Sequence, residues 1–272
     1  MNDPSQLTVS IVVHNSSLEL LRETLHSLET AASLLSNAAE VTVIDNNSSV
    51  DYQRGLTLLV EELRDSANLS ISLCLSRENL GYGGGHNLAL SHASDFHLIL
   101  NPDVTLKPQA LQVGIDAMSS DDEAVLLTPS ACGPEGSPEY LCKRYPSLWV
   151  LLMRAIAPSL GRRYFSAQMD SYQMTDICDA RQVAQVPLAS GCCMLVRSKS
   201  LRQIGGFDER YFMYFEDFDL SLRLADYGKL LYWPEMRIVH HGGYAASKGW
   251  RHLRMFASSG FRFFRQHGWR WI

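Results

Sequence analysis

The sequence has no Cys-x-x-Cys pair, no long unbroken apolar run and no excess of positive charge. Each absence removes a class of protein. Its six cysteines, at 74, 132, 142, 178, 192 and 193, are scattered, and the adjacent Cys192 and Cys193 make a poor disulfide pair. They read as reduced thiols, which argues against a zinc module or a disulfide scaffold and predicts a cytoplasmic setting. The apolar stretches are broken by His, Asn or Arg before they reach the roughly 20 residues of a membrane span. Lys and Arg number 24 against 29 Asp and Glu, a formal charge of −5, so no broad nucleic-acid binding is expected. The opening Met1-Asn-Asp-Pro-Ser-Gln has neither a basic start nor an apolar core, so no signal peptide is expected. No Gly-Lys-Ser/Thr follows a glycine loop, and the first strand lacks Gly-x-Gly-x-x-Gly. That removes a Walker-type nucleotidase and sets aside a dinucleotide-dependent oxidoreductase.

What is present is enough core for one large α/β domain or two small ones, with 46% hydrophobic residues in 272. Leu7 to Val13 is a β-branched run that predicts a buried strand, followed by Ser16 and Glu19 as a capping box and a helix through Leu18, Leu21, Leu25 and Leu28. Glu40 to Asp45 predicts a second strand, Tyr52 to Ser66 a helix, Ile71 to Ser76 a third strand, Asn87 to Ala93 a helix and His97 to Leu100 a fourth strand. This alternation predicts a mostly parallel central sheet flanked by helices. Such sheets bind ligands beyond the carboxyl ends of their strands. The polar residues collect there: His14-Asn15, Asp45-Asn46, Arg77 to Asn79 and Asn101 to Asp103.

The stretch Arg77-Glu-Asn-Leu-Gly-Tyr-Gly-Gly-Gly-His-Asn87 has four glycines in five positions, Gly84 among them. Glycines let backbone N–H groups approach a phosphate, although a tight turn explains them as well. Asp103 in Asn101-Pro-Asp-Val104 is an acid at a strand's end, which suits Mg²⁺ or Mn²⁺ bridging to a diphosphate; a plain Asn-Pro turn is the competing account. His240-His241-Gly-Gly243 offers a second ligand at the end of a later strand.

The densest signal is Tyr211-Phe-Met-Tyr-Phe-Glu-Asp-Phe-Asp219. Here an aromatic run ends in Glu216, Asp217 and Asp219 as a helix begins. Acids at a helix N-terminus complement its dipole. A carboxylate beside an apolar pocket is also a candidate general base, because desolvation raises its proton affinity. Pro187 to Val196 predicts a strand, Ser198 to Ile204 a short helix, and Lys229 to Trp233 and Arg237 to His241 two more strands. Residues 131–186 read as an insertion that shapes an acceptor site. Its apolar Leu148 to Met153, with Arg144, Arg154, Arg162 and Arg163 around it, suits a packed helix or a membrane-surface helix. The stretch after Trp250 interleaves Arg251, Arg254, Arg262, Arg265 and Arg270 with aromatic rings. It fits either a packed helix or an anionic lipid surface.

In this order, Val9 to Asn15, Val43 to Ser48, Arg77 to Asn87, Leu100 to Val104, Gly191, Gly205 to Glu209, Phe212 to Leu220 and Val239 to Gly243 resemble the inverting glycosyltransferases of family 2. Within that family they are similar to bacterial rhamnosyltransferases that build O-antigen and related cell-surface polysaccharides. The resemblance implies the GT-A fold. It implies one catalytic domain over 1–250, with a nucleotide-sugar-binding half (1–104) and an acceptor-binding half (105–250, carrying the 131–186 insertion), then a basic aromatic tail (251–272). It implies a nucleotide-sugar site of His14, Asn15, Asp45, Arg77, Asn79, Gly84, Asn87, Asn101 and Asp103, with Asp45 on the pyrimidine base. Asp103 and His240 would hold the divalent metal, with Asn101 standing where the family's motif begins with Asp. Asp217 would be the catalytic base, with Glu216 or Asp219 as alternatives.

The expected donor is dTDP-L-rhamnose and the expected acceptor a glycan or lipid-linked glycan. The expected location is the cytoplasm, with peripheral contact at the inner membrane face left open. A UDP- or GDP-hexose donor and an inactive nucleotide-binding protein of the same fold are the alternatives.

Overall fold

The computed structural model describes residues 6–64, 66–90, 94–156, 165–242 and 250–271. Four strands open the fold: β1 (Leu7–Val13), β2 (Ala39–Asp45), β3 (Leu69–Leu75) and β4 (Phe96–Leu100). They are followed by β5 (Val104–Leu106), β6 (Ala124–Cys132), β7 (Pro138–Glu139) and β8 (Cys142–Lys143). The last four are β9 (Ala184–Gln185), β10 (Leu188–Ala189), β11 (Cys193–Arg197) and β12 (Lys229–His240). The main sheet has the order β3-β2-β1-β4-β11-β6-β12-β5, with β7 on β6 and β9 on β12. β3, β2, β1 and β4 pair in parallel, and β6 pairs in parallel with β12, while β11 is antiparallel to both β4 and β6.

Burial explains the strands. All five residues of β4 and six of the seven in β1 are buried, as expected when helices cover both faces. One face packs on the helices Leu18–Ala32 and Ala110–Ser120. The other packs on the helix Glu216–Ala225 through Leu220 and Leu224. β12 is one strand where two are expected, and a register shift between Trp233 and Arg237 marks the irregularity. The strand expected over 187–196 is broken into β10 and β11, because residues 190–192 turn out of the sheet to meet Asp217.

Three local expectations are corrected. Ser17, not Ser16, caps the first helix, accepting from the Leu20 N–H at 3.3 Å, while Ser16 Oγ accepts from the His14 N–H. The second helix spans Val50–Glu62 and is capped by Ser49. The glycine stretch is itself a helix, Gly81–Asn87, and the chain turns away at Leu88 to Leu90. Glycine disfavours helix by about 1 kcal/mol per residue, but tertiary packing overrides that here. A Cβ on Gly83 would stand 2.7 Å from Phe207 Cβ, and one on Gly85 2.8 Å from Val12 Cγ1. The glycines let this helix press against β1 and the Phe207 loop. Residues 91–93 of the helix expected at 87–93 lie outside the described residues, as do Arg162, Arg163, Gly243 and the side chains of Arg154 and Arg251.

A third cluster joins Leu151, Tyr211, Phe215, Phe263 and Phe264. It packs the helix Leu148–Ile156 and the helix Trp250–His267 against the aromatic run. Of the two accounts of the 250–271 stretch, packing on the core is realised for its Phe263 and Phe264 face. Asp219 anchors it. Fully buried, Asp219 accepts from Arg223 Nε at 2.7 Å, Gln266 Nε2 at 2.9 Å and His267 Nε2 at 2.8 Å. Breaking such a buried network costs about 3–5 kcal/mol. Asp219→Ala is therefore expected to lower the unfolding free energy by about that much, and to raise hydrogen exchange first in residues 250–267. A loss below about 1 kcal/mol in denaturant melts would show that the network is not an anchor.

Candidate functional site

The carboxyl ends of β1, β2 and β4 and the loop after β3 bring His14, Asn15, Asp45, Arg77, Asn79, Asn101 and Asp103 to one edge of the sheet. Asn15 adopts φ 49° and lies between the two strand ends, accepting from the Ser49 N–H while its own N–H reaches Ser48 Oγ. His14 Nδ1 is 3.0 Å from the Asn46 carbonyl. Asn46 in turn donates to the Gly81 carbonyl and accepts from the Leu80 N–H. Asn79 caps the same turn through the Gly81 N–H. Arg77 is exposed at the rim.

Asp45 is fully buried. Its Oδ2 accepts from the Ser48 N–H at 3.1 Å and Gln53 Nε2 at 2.7 Å, whereas its Oδ1 is shielded from solvent and has no partner. Burial and the Asp45 charge push the Tyr52 hydroxyl up to about 12. An unpaired buried carboxylate oxygen costs free energy unless a donor reaches it. A ligand N–H would serve.

Gly84 and Asn87 have other work. Gly84 lies against the Leu80 side chain. Asn87 accepts from the Phe207 N–H at 2.9 Å and donates to the Phe207 carbonyl and to Glu209. These contacts pin the 206–209 turn to the glycine helix.

At the end of β4 the Asn101 N–H donates to the Cys192 carbonyl. Asp103 Oδ1 is a second shielded carboxylate oxygen without a hydrogen bond. It stands 3.5 Å from His240 Nε2, while His240 Nδ1 is 2.7 Å from Glu139 Oε2. Burial is the largest single influence on His240 and disfavours its charge. Asp103, Cys192 and Glu139 together outweigh it and push the imidazole up to about 11. His241 lies to the side, with Nε2 3.2 Å from Thr105 Oγ1. Of the two histidines, His240 is thus the one turned toward Asp103.

Once a cation displaces the imidazole proton, an oxygen and a nitrogen facing each other, with the far imidazole nitrogen held by a carboxylate, fit a divalent cation. Among the described residues no three His, Cys, Asp or Glu side chains group around one point. A cation here would therefore draw its other ligands from phosphate oxygens or water. Gly242 walls the pair: a Cβ there would stand 2.5 Å from His240 Nε2 and 3.1 Å from Asp103 Oδ2.

The acids of the aromatic run form the other centre. Tyr214 and Phe215 both adopt the left-handed conformation, at φ 71° and 66°. Such conformations cost about 1–2 kcal/mol each. They turn the chain so that the helix begins on Glu216 and Asp217. Asp217 Oδ2 accepts from the Gly191 N–H at 3.0 Å and Oδ1 from the Phe218 N–H at 2.9 Å. Burial raises its pKa, opposed by those two N–H donors and by Lys143. Glu216 is more buried, its Oε2 has no partner, and burial together with the Asp217 charge pushes it up to about 8. Burial thus raises both carboxyls, and Asp217 is the one whose charge is favoured by two backbone N–H donors and by Lys143.

Both acids line a cavity of about 650 Å³ whose other walls include Tyr140, Lys143, Tyr214 and His252. Asp219 does not line that cavity; its carboxylate is taken up by the anchor network.

Sequence reasoning missed several partners. Tyr82 donates to the Gly191 carbonyl at 2.5 Å and so braces the peptide that holds Asp217. Glu139 and Cys192, both beside His240, gave no signal in the chain, because neither sits in a recognisable pattern.

These features match known proteins. The profile of Glycosyl transferase family 2 covers residues 8–205. The chain is 31% identical over 192 residues to a protein of Mycobacterium tuberculosis named N-acetylglucosaminyl-diphospho-decaprenol L-rhamnosyltransferase, covering 66% of this chain and 61% of that protein. It is 28% identical over 171 residues to the rhamnosyltransferase WbbL of Escherichia coli K12, covering 59% of this chain and 61% of WbbL. The chain thus spans about 61% of the length of these relatives.

Among solved structures, the mannosyltransferase PcManGT of Pyrobaculum calidifontis, in complex with GDP-Man and Mn²⁺, superposes with TM-score 0.64 at 17% identity. The match covers 97% of this chain and 64% of that one. S. aureus TarS with UDP-GlcNAc gives 0.56 at 16% identity, covering 90% and 61%. The fold is the GT-A fold of these transferases. With the family profile running from β1 to the turn after the helix Ser198–Gln203, across both the Asp45 and the Asp103 strand ends, the chain belongs to glycosyl transferase family 2.

Proposed function

We propose that the protein transfers L-rhamnose from dTDP-L-rhamnose to a hydroxyl of a glycan or lipid-linked glycan, with inversion at the anomeric carbon, in cell-surface polysaccharide synthesis. The observation that carries this reading is the pairing of Asp217, a cavity-facing carboxylate with a raised pKa, with Asp103 and His240 at a neighbouring strand end. The names of the M. tuberculosis and E. coli relatives support the sugar, and that of the M. tuberculosis relative supports the lipid-linked acceptor.

Asp45 offers its free Oδ1 to a pyrimidine N–H, with His14, Asn15, Arg77 and Asn79 around the nucleotide. Gly84, Asn87 and Asn101 belong to the same proposed nucleotide-sugar site, Asn87 and Gly84 bordering it through the glycine helix. Asp217 accepts the proton of the acceptor hydroxyl as that oxygen attacks from the face opposite the leaving diphosphate. Asp103 and His240 would hold Mg²⁺ or Mn²⁺, which when bound offsets the charge developing on the diphosphate.

The catalytic unit is read as 1–250, nucleotide half 1–104 and acceptor half 105–250, with the 251–272 stretch added to it. Tyr140, Lys143 and Tyr172 of the 131–186 insertion line the Asp217 cavity, which supports an acceptor role for that segment.

Peripheral contact with the inner face of the cell membrane is part of the reading. No helix among the described residues is long and apolar enough to cross a membrane. Trp149, Phe261, Trp269 and Trp271 are exposed, and the Leu148 N–H donates to the Arg270 carbonyl, which joins the two aromatic stretches. Arg265 and Arg270 flank them, and residues 250–271 contain no acid. Exposed tryptophans with arginines suit an anionic headgroup layer.

The test is calorimetric titration with dTDP, UDP and GDP, each with and without Mg²⁺. Tightest binding of dTDP, strengthened by metal, is expected. A UDP or GDP preference would replace the donor, and no nucleotide binding would sink the transferase reading.

A further inference from the structure

The turn at residues 190–192 stands between the two ends of the site, and backbone bonds hold each side of it. On one side the Ser190 N–H donates to the Leu141 carbonyl at 2.9 Å and the Gly191 N–H to Asp217 Oδ2 at 3.0 Å. On the other side the Cys192 carbonyl accepts from the Asn101 N–H at 3.0 Å. Between these bonds lie the backbone torsions of Gly191. Glycine has the widest choice of such torsions, so this is the loosest joint between the Asp217 end and the Asp103 end.

Tyr82 closes the joint. Its hydroxyl donates to the Gly191 carbonyl at 2.5 Å, across 109 positions of the chain. The ring rests against Gly191 so closely that a Cβ there would stand 3.0 Å from Tyr82 Cε1. The ring is itself held, packing edge-on against His86 at 4.6 Å and Phe207 at 5.9 Å, while the Tyr82 N–H donates to the Phe212 carbonyl at 3.0 Å. One residue earlier, the Gly81 carbonyl accepts from Asn46 Nδ2 at 2.8 Å, and the Asn46 carbonyl meets His14. Burial first, then Cys192, Glu216 and Asp217, holds the Tyr82 phenol well above its usual range, so it keeps its proton and stays a donor.

We infer that Tyr82 is a positioning residue for transfer, which through the Gly191 backbone aims the Asp217 carboxylate and sets its spacing from the Asp103 end. The inference rests on Asp217 being the base, as proposed above. Tyr82 does not line the Asp217 cavity, so it acts through Gly191 and not by touching the acceptor.

The electrostatic consequence has a sign. Asp217 shares its cavity with Glu216 and Lys143, and Tyr140, Tyr214 and His252 stand on the other walls. Burial raises the Asp217 pKa against the Gly191 and Phe218 N–H groups and Lys143. Freeing Gly191 turns one of those donors away, which moves the carboxyl further up.

The experiment compares wild type, Tyr82→Phe, Tyr232→Phe and Asp217→Asn in the full chain. Tyr82→Phe keeps the ring and removes the hydroxyl. Tyr232→Phe is the matched control: its hydroxyl also donates to a backbone carbonyl, that of Cys178 at 3.3 Å, and it does not line the Asp217 cavity. Calorimetry with dTDP reads donor binding. Transfer from dTDP-L-rhamnose to a synthetic N-acetylglucosaminyl-diphospho-prenol gives kcat and its pH profile. NMR of labelled aspartate carboxyls, assigned with Asp217→Asn, gives the Asp217 titration directly. Tyr82→Phe is expected to bind dTDP within about twofold of wild type and to lose about tenfold or more in kcat. The acid limb of its pH profile and the Asp217 titration are expected to move together to higher pH. Tyr232→Phe is expected to match wild type in all three.

Wild-type kcat in Tyr82→Phe, or an Asp217 titration that does not move, would overturn the inference. So would an equal loss in Tyr232→Phe, or a loss seen only as weaker dTDP binding. Asp217→Asn separates this failure from that of the base reading. If it is inactive while Tyr82→Phe is normal, the base stands and the positioning role falls; if it turns over as wild type does, the base reading falls and takes the role with it. If wild type transfers no rhamnose, the donor or acceptor reading fails and the carboxyl titration decides alone: an upward move in Tyr82→Phe keeps the positioning, and no move removes it.

Discussion

Asp217→Asn is expected to lower sugar transfer by about 10³-fold or more while leaving nucleotide binding within about a factor of two. The substitution keeps the shape, and an amide oxygen can still accept from the Gly191 N–H. What it loses is the ability to take a proton. Glu216 is not placed to substitute: it is more deeply buried than Asp217, and burial continues to hold its carboxyl above the ordinary Glu range after the Asp217 charge is gone. The rate is expected to rise with pH on the acid side as Asp217 ionises, above the ordinary Asp range because burial raises its pKa.

Glu216→Gln is the matched control. It mimics the protonated form and should retain most activity at neutral pH. It should also change the pH dependence of stability in a known direction. A carboxyl whose pKa is raised in the folded state binds more protons folded than unfolded between the ordinary Glu range and about pH 8. Wild-type stability therefore falls as pH rises through that window, and Glu216→Gln removes that part of the fall. Melting curves at pH 5 and pH 9 measure it. Equal turnover by Asp217→Asn and wild type would exclude Asp217 as the base.

β1 and β4 were legible because a strand buried on both faces must be apolar, so the polar residues after it mark the sheet's edge. Asn101 and Asp103 are read that way, whereas β2 and β3 are only partly buried and β2 itself ends on Asp45. The glycine stretch was legible as special but misread locally. Its glycines serve the approach of Phe207, Phe212 and Val12, which come from elsewhere in the chain. The three acids at 216, 217 and 219 look alike in sequence, and only packing separates them. Gln266 and His267 claim Asp219, the Gly191 peptide claims Asp217, and nothing claims Glu216 Oε2. Glu139 beside His240 was invisible, because a contact across about 100 positions leaves no local pattern.

Asp103→Asn is expected to lower turnover by about 100-fold or more and to remove most of the stimulation by Mg²⁺ or Mn²⁺. The reasoning starts at Asn101. With Asn at the head of Asn101-Pro-Asp103, this strand end carries one carboxylate, so neutralising Asp103 leaves none on that loop. Asp103 Oδ1 is shielded and stands 3.5 Å from His240 Nε2, so an amide there keeps the shape of the pair and loses its charge. Rates measured over a metal titration, with nucleotide binding followed in parallel, would report it. An unchanged metal response in Asp103→Asn would remove Asp103 from that role.

Gly242→Ala tests the same point without altering any charge. Its Cβ would press on His240 Nε2 and Asp103 Oδ2, so the pair must part even though both groups remain. If geometry at this strand end matters as well as charge, both variants lose the metal response while Asp217→Asn keeps metal-dependent nucleotide binding. That division would assign leaving-group stabilisation to the Asp103 end and proton transfer to the Asp217 end. The Gly191-Cys192 segment bonds to both ends, through the Gly191 N–H to Asp217 and the Cys192 carbonyl to the Asn101 N–H, and so fixes their spacing.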